Sequence, residues 1–436
     1  MVESLHILLH GECPWVPSSM GKVTLWLAQE LIKMGHQVLV TCLGAPTATL
    51  YSKYVVYNPK RQCSPKSRLC DYLQDVDIPT VYAKRGMLIQ DAIEVLGKLD
   101  AVITYGSHHA GALGEWINNE VFTTWTKLGK PAVAYMQIDT PYERLGTALS
   151  VASYSVATYP SEFSRSVAVK AVKMFMGEKI AEKFSMYTAV AYHGIDTNVY
   201  NEKVAKIFAQ SKEPRDYKII GFVSKNHPRK DFGALVRCVA KLRKKGFNVV
   251  PGAYMIEAVG VPVWNDQNLT DFAKLMEGIP VNVYVLPQPL RSIGLTEYEL
   301  IEFYVKWMDI HAYLSRGESF GIPPLESVML GVPTAVSDIP PQREIWQDTL
   351  PMIRTREVLI DNWVALSPDP EHCAEICEAI LTKGQDLSRA RERVLSMFTA
   401  RHMAQYLLKA VEKAFEDPAP IALKVPEIGR AVGLVQ

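Results

Sequence analysis

The stretch SRGESFGIPPLESVMLGVPTAVSDIPPQREI, residues 315–345, combines a strand end, a glycine-containing loop and a short helix. The apolar run before it ends at Ser315. Pro323 and Pro324 predict the first turn of a helix, where an N–H would have no helical partner, and Gly331 predicts its end. We expect such a helix start to offer free backbone donors and a positive dipole end to an anion.

Around this stretch, short apolar runs alternate with segments whose apolar residues recur at helical spacing. One series begins with the strand LHILLH at residues 5–10, and a second begins with KIIGFVS at residues 218–224. Such alternation is typical of parallel sheets covered by helices. We therefore predict an α/β protein with two doubly wound domains.

The chain length predicts the number of domains, and the lack of a clear strand pattern after Asp196 indicates where they divide. At roughly 100–200 residues per domain, 436 residues predict two large domains. Strand carboxyl ends hold the ligands in such folds, so we expect the chemistry in a deep cleft between the domains. The predicted parts are a first domain (1–197, completed by a helix over 398–415), a second domain (198–397, opening with the connection 198–216) and a surface tail (416–436).

Charge and hydropathy exclude several classes of function. The chain has 47 basic and 46 acidic residues, so attraction to nucleic acid is not indicated. No apolar run reaches the roughly 18 residues of a membrane span, and the N-terminus lacks the features of a signal peptide. We expect a cytoplasmic protein. Arg165, Lys170 and Lys173 on one helix leave peripheral membrane contact open, although a solvated face is the favoured interpretation.

Seven scattered cysteines do not form a disulfide framework. Cys63 and Cys70 lie in an irregular stretch, residues 57–80, that we expect to be a surface excursion, and a bond between them is possible but not favoured. Cys373 and Cys377 share a helix face and are interpreted as buried small hydrophobes rather than metal ligands, because no second Cys/His cluster accompanies them.

Asp75-Val76-Asp77 has the appearance of a metal-binding pair of aspartates. It lies in the same irregular stretch and lacks the strand context that such a site requires. We therefore predict no metal site there.

Two carboxylates flank the loop of the decisive stretch. Glu318 lies in the loop and Glu326 in the first turn of the predicted helix. A carboxylate accepts two hydrogen bonds, which suits the neighbouring hydroxyls of a ribose or a sugar ring. The alternative is a solvated loop charge at Glu318 and an ordinary helix-end charge at Glu326.

Three cations crowd the turn within GFVSKNHPRKD, residues 221–231. Lys225, Arg229 and Lys230 lie between a predicted strand and a predicted helix. Preorganised cations in a water-poor cleft strongly stabilise negative charge that develops on a departing group. A solvated basic turn is the alternative.

The decisive stretch resembles the signature of the retaining glycosyltransferases of family 4, which have the GT-B fold. That family carries Ser-x-x-Glu-x-Phe-Gly-x-Pro-x-x-Glu, which this sequence matches at Ser315, Glu318, Phe320, Gly321, Pro323 and Glu326. The match continues at Gly331, Pro333, Ser337, Asp338 and Glu344. It is strong over residues 187–345 and thin over 43–130 and after 370.

The resemblance implies roles for these residues. Glu318 contacts the hydroxyls of the donor sugar, and Glu326 holds the nucleotide ribose. Lys225 and Lys230 best match the family's phosphate-binding cations. Lysine departs from the usual arginine at Lys225 and lacks its bidentate fork, so Arg229 could substitute. Glu318, Lys225 and Lys230 are the predicted catalytic residues, and the predicted donor-binding residues are Arg229, Ser319, Phe320, Gly321, Ile322, Glu326 and Gly21.

The first domain departs further from the family pattern. The family often has paired glycines before the first helix, and only Gly21 remains here. Many members carry a histidine where this sequence has Gln137. We predict His108, Gln137 and Asp139 as acceptor contacts, with a satisfied histidine and a capping aspartate as alternatives. Residues 159–165 and 192–200 also match the family and are interpreted as structural and hinge elements.

By this resemblance, the protein transfers a hexosyl group from a UDP- or GDP-sugar to a hydroxyl of a glycan, lipid or small-molecule acceptor, with retention. No metal and no cofactor is predicted, because the cations and the helix dipole can replace a metal. The alternative is a non-catalytic subunit that binds sugar nucleotides. An oxidoreductase is disfavoured, because no Gly-x-Gly-x-x-Gly follows the first strand.

Overall fold

The protein is described by a computed structural model over residues 4–16, 18–43, 54–63, 67, 69–82, 96–107, 129–140, 145–225, 227, 229–256, 278, 282–286, 296–360 and 363–436. These residues fall into two compact units. The first comprises residues 1–62, 74–194 and 398–436, and the second comprises residues 63–73 and 195–397. The two units are called the first and the second domain below.

The first domain contains an eight-stranded sheet with the order β3-β4-β2-β1-β5-β6-β7-β8. All neighbouring strands are parallel except β3, which pairs antiparallel with β4. Apolar side chains of β1, β5 and β6 are almost completely buried, as expected for strands covered on both faces. The strands are β1 (His6–Glu12), β2 (Gln37–Leu43), β3 (Tyr54–Tyr57), β4 (Ile78–Tyr82), β5 (Ala101–Ser107), β6 (Ala132–Gln137), β7 (Val156–Tyr159) and β8 (Thr188–Val190).

The second domain contains a six-stranded parallel sheet with the order β11-β10-β9-β12-β13-β14, and a separate antiparallel pair, β15-β16. In both large sheets the strand order reverses direction beside the first strand of the domain, which defines a doubly wound sheet. The prediction of two such domains is confirmed. The strands are β9 (Lys218–Lys225), β10 (Val249–Ile256), β11 (Asn282–Leu286), β12 (Ile310–Tyr313), β13 (Thr334–Ser337), β14 (Met352–Ile353), β15 (Thr355–Ile360) and β16 (Trp363–Pro368).

The helices begin at the capping residues that the sequence supplies, such as Ser18, Ser161 and Asp231, whose side chains accept N–H groups of the first turn. They are α1 (Ser19–Lys33), α2 (Leu145–Leu149), α3 (Glu162–Met176), α4 (Glu178–Ser185), α5 (Glu202–Ala209), α6 (Phe232–Lys244), α7 (Thr296–Glu302), α8 (Pro323–Leu330), α9 (Pro340–Trp346), α10 (Pro370–Lys383), α11 (Ser388–Met397), α12 (Ala400–Glu416), α13 (Ile421–Lys424) and α14 (Pro426–Ala431). A π-helical turn, Phe303–Trp307, follows α7. Among the described helices, none is long and apolar enough to cross a membrane.

Two segments differ from their predicted character. The stretch 57–80 ends in β4, which extends the first sheet beside β2 and is not merely a surface excursion. The segment 416–436 was predicted to be a surface tail, and this is wrong. Ile421 and Val425 are buried in the core of the first domain, and the N–H of Ile421 donates to the carbonyl of Tyr154 over 2.7 Å.

Two disulfides join Cys13 to Cys42 and Cys63 to Cys70. The expectation of unpaired cysteines is therefore wrong for these four. Cys13 follows β1 and Cys42 lies near the end of the adjacent β2, so strand pairing brings together residues that are 29 positions apart. Disulfides persist mainly in oxidising compartments. These two bonds do not support the predicted cytoplasmic location, which stays a prediction.

No residue other than glycine fits at position 194 unless the neighbouring backbone shifts. A Cβ at this position would lie 2.0 Å from the carbonyl oxygen of Thr399, the residue that caps α12. Both contacting groups are backbone, so a side chain there cannot be accommodated by a rotamer change. The close approach packs the start of α12 against the end of the chain segment that follows β8.

We expect Gly194→Ala to lower the free energy of unfolding of the first domain by about 1–3 kcal/mol, the usual cost of overpacking. Gly146→Ala is the matched control, because a Cβ there meets nothing within 4 Å in the helix α2. Urea unfolding followed by circular dichroism measures both. Equal stability of the two variants would contradict the close approach.

Candidate active site

The glycine-containing loop of the second domain lies between β12 and α8. Gly321 has a φ of 96°, which favours glycine, and a Cβ there would lie 2.5 Å from Nε2 of Gln342. That amide donates to the carbonyl oxygen of Phe320 over 2.6 Å and accepts from the indole N–H of Trp346. The backbone of the loop is thereby held by α9 in one conformation.

The start of α8 differs from the predicted anion site. Pro323 and Pro324 have no N–H, and the N–H groups of Leu325 and Glu326 both donate to the carbonyl of Ile322. The expectation of free donors in the first helical turn is therefore wrong. Backbone donors for an anion must come from the loop before the helix, which includes the predicted donor residues 319–322.

The cation turn and the glycine-containing loop meet through their backbones. The N–H of Arg316 donates to the carbonyl of Arg229 over 2.9 Å, and the N–H of Asp231 donates to the carbonyl of Leu314 over 3.1 Å. Asp231 also pairs with the guanidinium of Arg316 over 2.7 Å. The two motifs are 88 residues apart in sequence at Lys230 and Glu318, and these bonds bring them together.

Glu318 forms the centre of a buried cluster of charges. Its Oε1 accepts from the ammonium of Lys230 and, over 2.5 Å, from the hydroxyl of Tyr313. Its Oε2 lies 3.0 Å from the guanidinium of Arg229. The side chains of Glu318, Lys230 and Arg229 are only 7%, 9% and 17% exposed. The cluster, one carboxylate and two cations, carries a formal charge of +1 and is suited to attract an anion.

Lys225, the third predicted cation, is the last residue of β9. Its side chain lies outside the described part of the structure. The structure therefore assigns the two cations beside Glu318 to Arg229 and Lys230.

Glu326 is buried at the start of α8. Its Oε2 accepts from the hydroxyl of Tyr304 over 3.0 Å, and this hydroxyl also lies 3.2 Å from the carbonyl oxygen of Pro323. Burial and the nearby carboxylate of Glu326 raise the pKa of Tyr304 well above its usual value, so the phenol stays a hydrogen-bond donor. Tyr304 lies in the π-helical turn, and no motif in the sequence indicated this contact.

Gly21 lies in the first turn of α1, in the first domain. A Cβ on Gly21 would lie 2.1 Å from the carbonyl oxygen of Val16, and its N–H donates to the hydroxyl of Ser18 over 3.0 Å. Packing of the loop alone thus requires glycine here. Its predicted role in donor binding stays a prediction.

Gln137 ends β6 and joins a buried polar network. Its amide donates to the hydroxyl of Tyr105 and lies 3.0 Å from Nε2 of His193, whose Nδ1 lies 2.5 Å from the hydroxyl of Tyr135. Burial lowers the pKa of His193 from 6.5 to about 3, so this imidazole is neutral near pH 7. His193 was interpreted as structural from the sequence, and its contact with a predicted acceptor residue was not anticipated.

The other predicted acceptor residues are placed less fully. Asp139 is half-buried two residues beyond β6. His108 lies outside the described residues. Asp75 and Asp77 each accept a hydrogen bond from the amide of Asn58, over 2.9 and 2.8 Å, and Arg61 pairs with Asp77. This pair of aspartates therefore braces its own loop.

The buried His193 should make the first domain sensitive to acid. Because its folded-state pKa is about 3 and its ordinary value is 6.5, the unfolded chain binds a proton between these values that the folded chain does not. Stability is therefore lost as the pH falls below 6.5, by about 2 kcal/mol at pH 5 for this residue. In His193→Gln we expect this part of the acid loss to disappear. Urea unfolding at pH 7 and pH 5 measures it, and identical losses in both proteins would contradict the assignment.

The chain is similar to one known protein family and to several solved structures. Residues 203–394 match the family model described as glycosyl transferases group 1. No curated protein matches the chain. Similar solved structures include a glycosyltransferase from Rickettsia africae (16% identity, TM-score 0.59, covering 95% of this chain and 100% of that one) and sucrose-phosphate synthase from Thermosynechococcus elongatus (13%, 0.62, 94% and 99%). Anabaena HepE, solved in complex with UDP and glucose, is also similar (13%, 0.59, 94% and 100%).

The matched residues lie within the second domain and include both the cation turn and the glycine-containing loop. The similar structures span nearly the whole chain, so the fold is GT-B, with two Rossmann-like domains. Because residues 203–394 match the group 1 glycosyl transferases and the fold is GT-B, the protein is a glycosyltransferase.

Proposed function

We propose that the protein transfers a hexosyl group from a nucleoside-diphosphate sugar to an acceptor hydroxyl, with retention at the anomeric carbon and without a metal ion. The buried cluster of Glu318, Lys230 and Arg229 carries the proposal. It combines a carboxylate that can accept sugar hydroxyls with two cations that can face a diphosphate.

The cations serve the leaving group. As the bond from the sugar to the diphosphate breaks, negative charge grows on the phosphate oxygen, and Lys230 and Arg229 stabilise that charge more than they stabilise the ground state. The leaving phosphate then takes the proton of the acceptor hydroxyl on the same face. Retention is proposed from the family resemblance alone, and metal independence is proposed from that resemblance together with this charge arrangement.

The two carboxylates bind different parts of the donor. Glu326, held by Tyr304, accepts hydrogen bonds from the nucleotide ribose, and Glu318 accepts them from the sugar. The backbone of residues 319–322 faces the diphosphate. Uridine is the first base to test, because HepE was solved with UDP and with UDP-glucose.

The acceptor is a glycan, a lipid or a small molecule, bound by Gln137 and Asp139 of the first domain and by His108. Peripheral membrane contact through α3 stays a prediction. Arg165 pairs with Glu162 over 2.7 Å, and Lys173 pairs with Glu178 over 2.5 Å, so two of the three cations are engaged within the protein.

A second candidate is a non-catalytic subunit that binds sugar nucleotides. The observation that favours it is Gln137, which occupies the position where the family often has a histidine and contacts the neutral His193 instead. Tight donor binding without transfer or hydrolysis would support this alternative. Turnover of any donor would exclude it.

We expect Glu326→Ala to weaken donor binding by about 10–100-fold, the value of a lost hydrogen bond to a charged group. A thermal-shift screen of UDP-, GDP- and ADP-sugars identifies the donor, because a ligand that binds the folded state raises the melting temperature. Glu357→Ala, at an exposed position of β15, is the matched control. Wild-type donor affinity in Glu326→Ala would contradict the assignment.

We expect Lys230→Ala to lower turnover by about 10²–10³-fold while donor affinity changes much less, because its charge acts mainly in the transition state. Lys241→Ala is the control, since Lys241 pairs with Glu371 on the exposed side of α6. Lys230→Arg keeps the positive charge. Turnover that is retained in this variant would show that the missing charge, and not a folding defect, causes the loss in Lys230→Ala. Wild-type turnover of folded Lys230→Ala would refute the mechanism.

A further inference from the structure

Three cysteine sulfurs converge in the interior of the second domain. Cys238 lies on α6, and Cys373 and Cys377 lie one turn apart on α10. All three side chains are fully buried, and their Sγ atoms lie within 4.8 Å of one another. The sequence interpretation of the α10 pair as small hydrophobes depended on the lack of a further ligand, and α6 supplies one.

The spacing of the sulfurs suits a single metal ion. A thiolate binds an ion such as zinc at about 2.3 Å, so three sulfurs around one ion in a plane stand about 4 Å apart. That separation falls inside the observed limit of 4.8 Å. An ion could therefore enter the cluster with only small side-chain movements.

Two ion pairs join the C-terminal end of α6 to α10. Lys241 of α6 pairs with Glu371 of α10, and Lys245 pairs with Glu378 over 2.7 Å. Exposed ion pairs add little stability, but these two show which parts of the two helices lie opposite each other. The three sulfurs are thus presented by a preformed frame.

The number of ligands indicates which ion would fit. Thiolates select soft ions, chiefly monovalent copper, zinc and iron–sulfur clusters. Structural zinc takes four protein ligands, and iron–sulfur clusters take four cysteines. Among the described residues, only the three sulfurs come together here. Two possible ligands that precede Cys373 in sequence have other partners, since Nδ1 of His372 accepts the N–H of Arg354 over 2.9 Å and Glu371 binds Lys241.

We propose that Cys238, Cys373 and Cys377 form a buried three-sulfur site for monovalent copper in the second domain. Each thiol that binds as a thiolate releases its proton to solvent, and the ion stays in the monovalent state throughout. The site shares no residue with the proposed donor site. Its occupancy is expected to stabilise the packing of α6 on α10 rather than to take part in sugar transfer.

The test is a competition titration of the full chain with monovalent copper, performed without oxygen and against a colorimetric copper(I) chelator. No reductant is added, so that Cys13–Cys42 and Cys63–Cys70 remain bonded and contribute no thiol. We expect one ion per chain. Cys238→Ala should weaken binding by more than about 100-fold, since even residues outside the ligand shell are worth 10–100-fold. The double variant Cys63→Ser/Cys70→Ser is the control and should bind as the wild type does.

If the cysteine variants fail to fold, mass spectrometry of the alkylated wild-type protein tests the proposal instead. In a rapid alkylation of briefly denatured chains, prior addition of copper(I) should protect three cysteines, and peptide mapping should identify them as those of the cluster. Loss of copper to the chelator from wild type, wild-type affinity in folded Cys238→Ala, or tighter binding of zinc than of copper(I) would each overturn it.

Discussion

A buried carboxylate shared by two cations organises the second domain. An isolated Glu318 in this position would be costly to remove from water, and so would Lys230 or Arg229. Together, and with the hydroxyl of Tyr313, they satisfy one another. The pairing is possible only because the turn after β9 and the loop after β12 run side by side, joined by backbone hydrogen bonds. The charge cluster and the backbone geometry of the loop therefore depend on each other.

The same interaction constrains the chemistry that we propose. Glu318 pairs with both cations, so in the proposed reaction a diphosphate draws them toward itself while sugar hydroxyls take their place on the carboxylate. Such an exchange conserves hydrogen bonds, which makes it compatible with a buried site. Glu326 is held differently, by the neutral phenol of Tyr304, and so needs no cation to release it. The two glutamates are thus prepared for different partners.

Much of the second domain could be predicted because its signals are local in sequence. The strand, loop and helix around Gly321 follow directly from the spacing of apolar residues, glycines and prolines. Contacts made by distant segments could not be predicted. Neither Tyr304 beside Glu326 nor Cys238 beside the cysteines of α10 has a local signature, and the proximity of Cys13 to Cys42 results from strand pairing. Pro323 and Pro324, which predicted the start of α8, have no N–H and so do not provide the donors that were expected there.

The first domain was harder to interpret for a physical reason. Its polar network is assembled from the ends of β5 and β6 and from the segment after β8, so that Tyr105, Gln137 and His193 meet only after the sheet forms. A histidine expected at one position of the chain can be supplied from another when strand ends converge on the same edge of a sheet. The buried imidazole of His193 directly contacts Gln137, which stands at that expected position. An imidazole therefore lies beside the expected position, although it comes from a different segment of the chain.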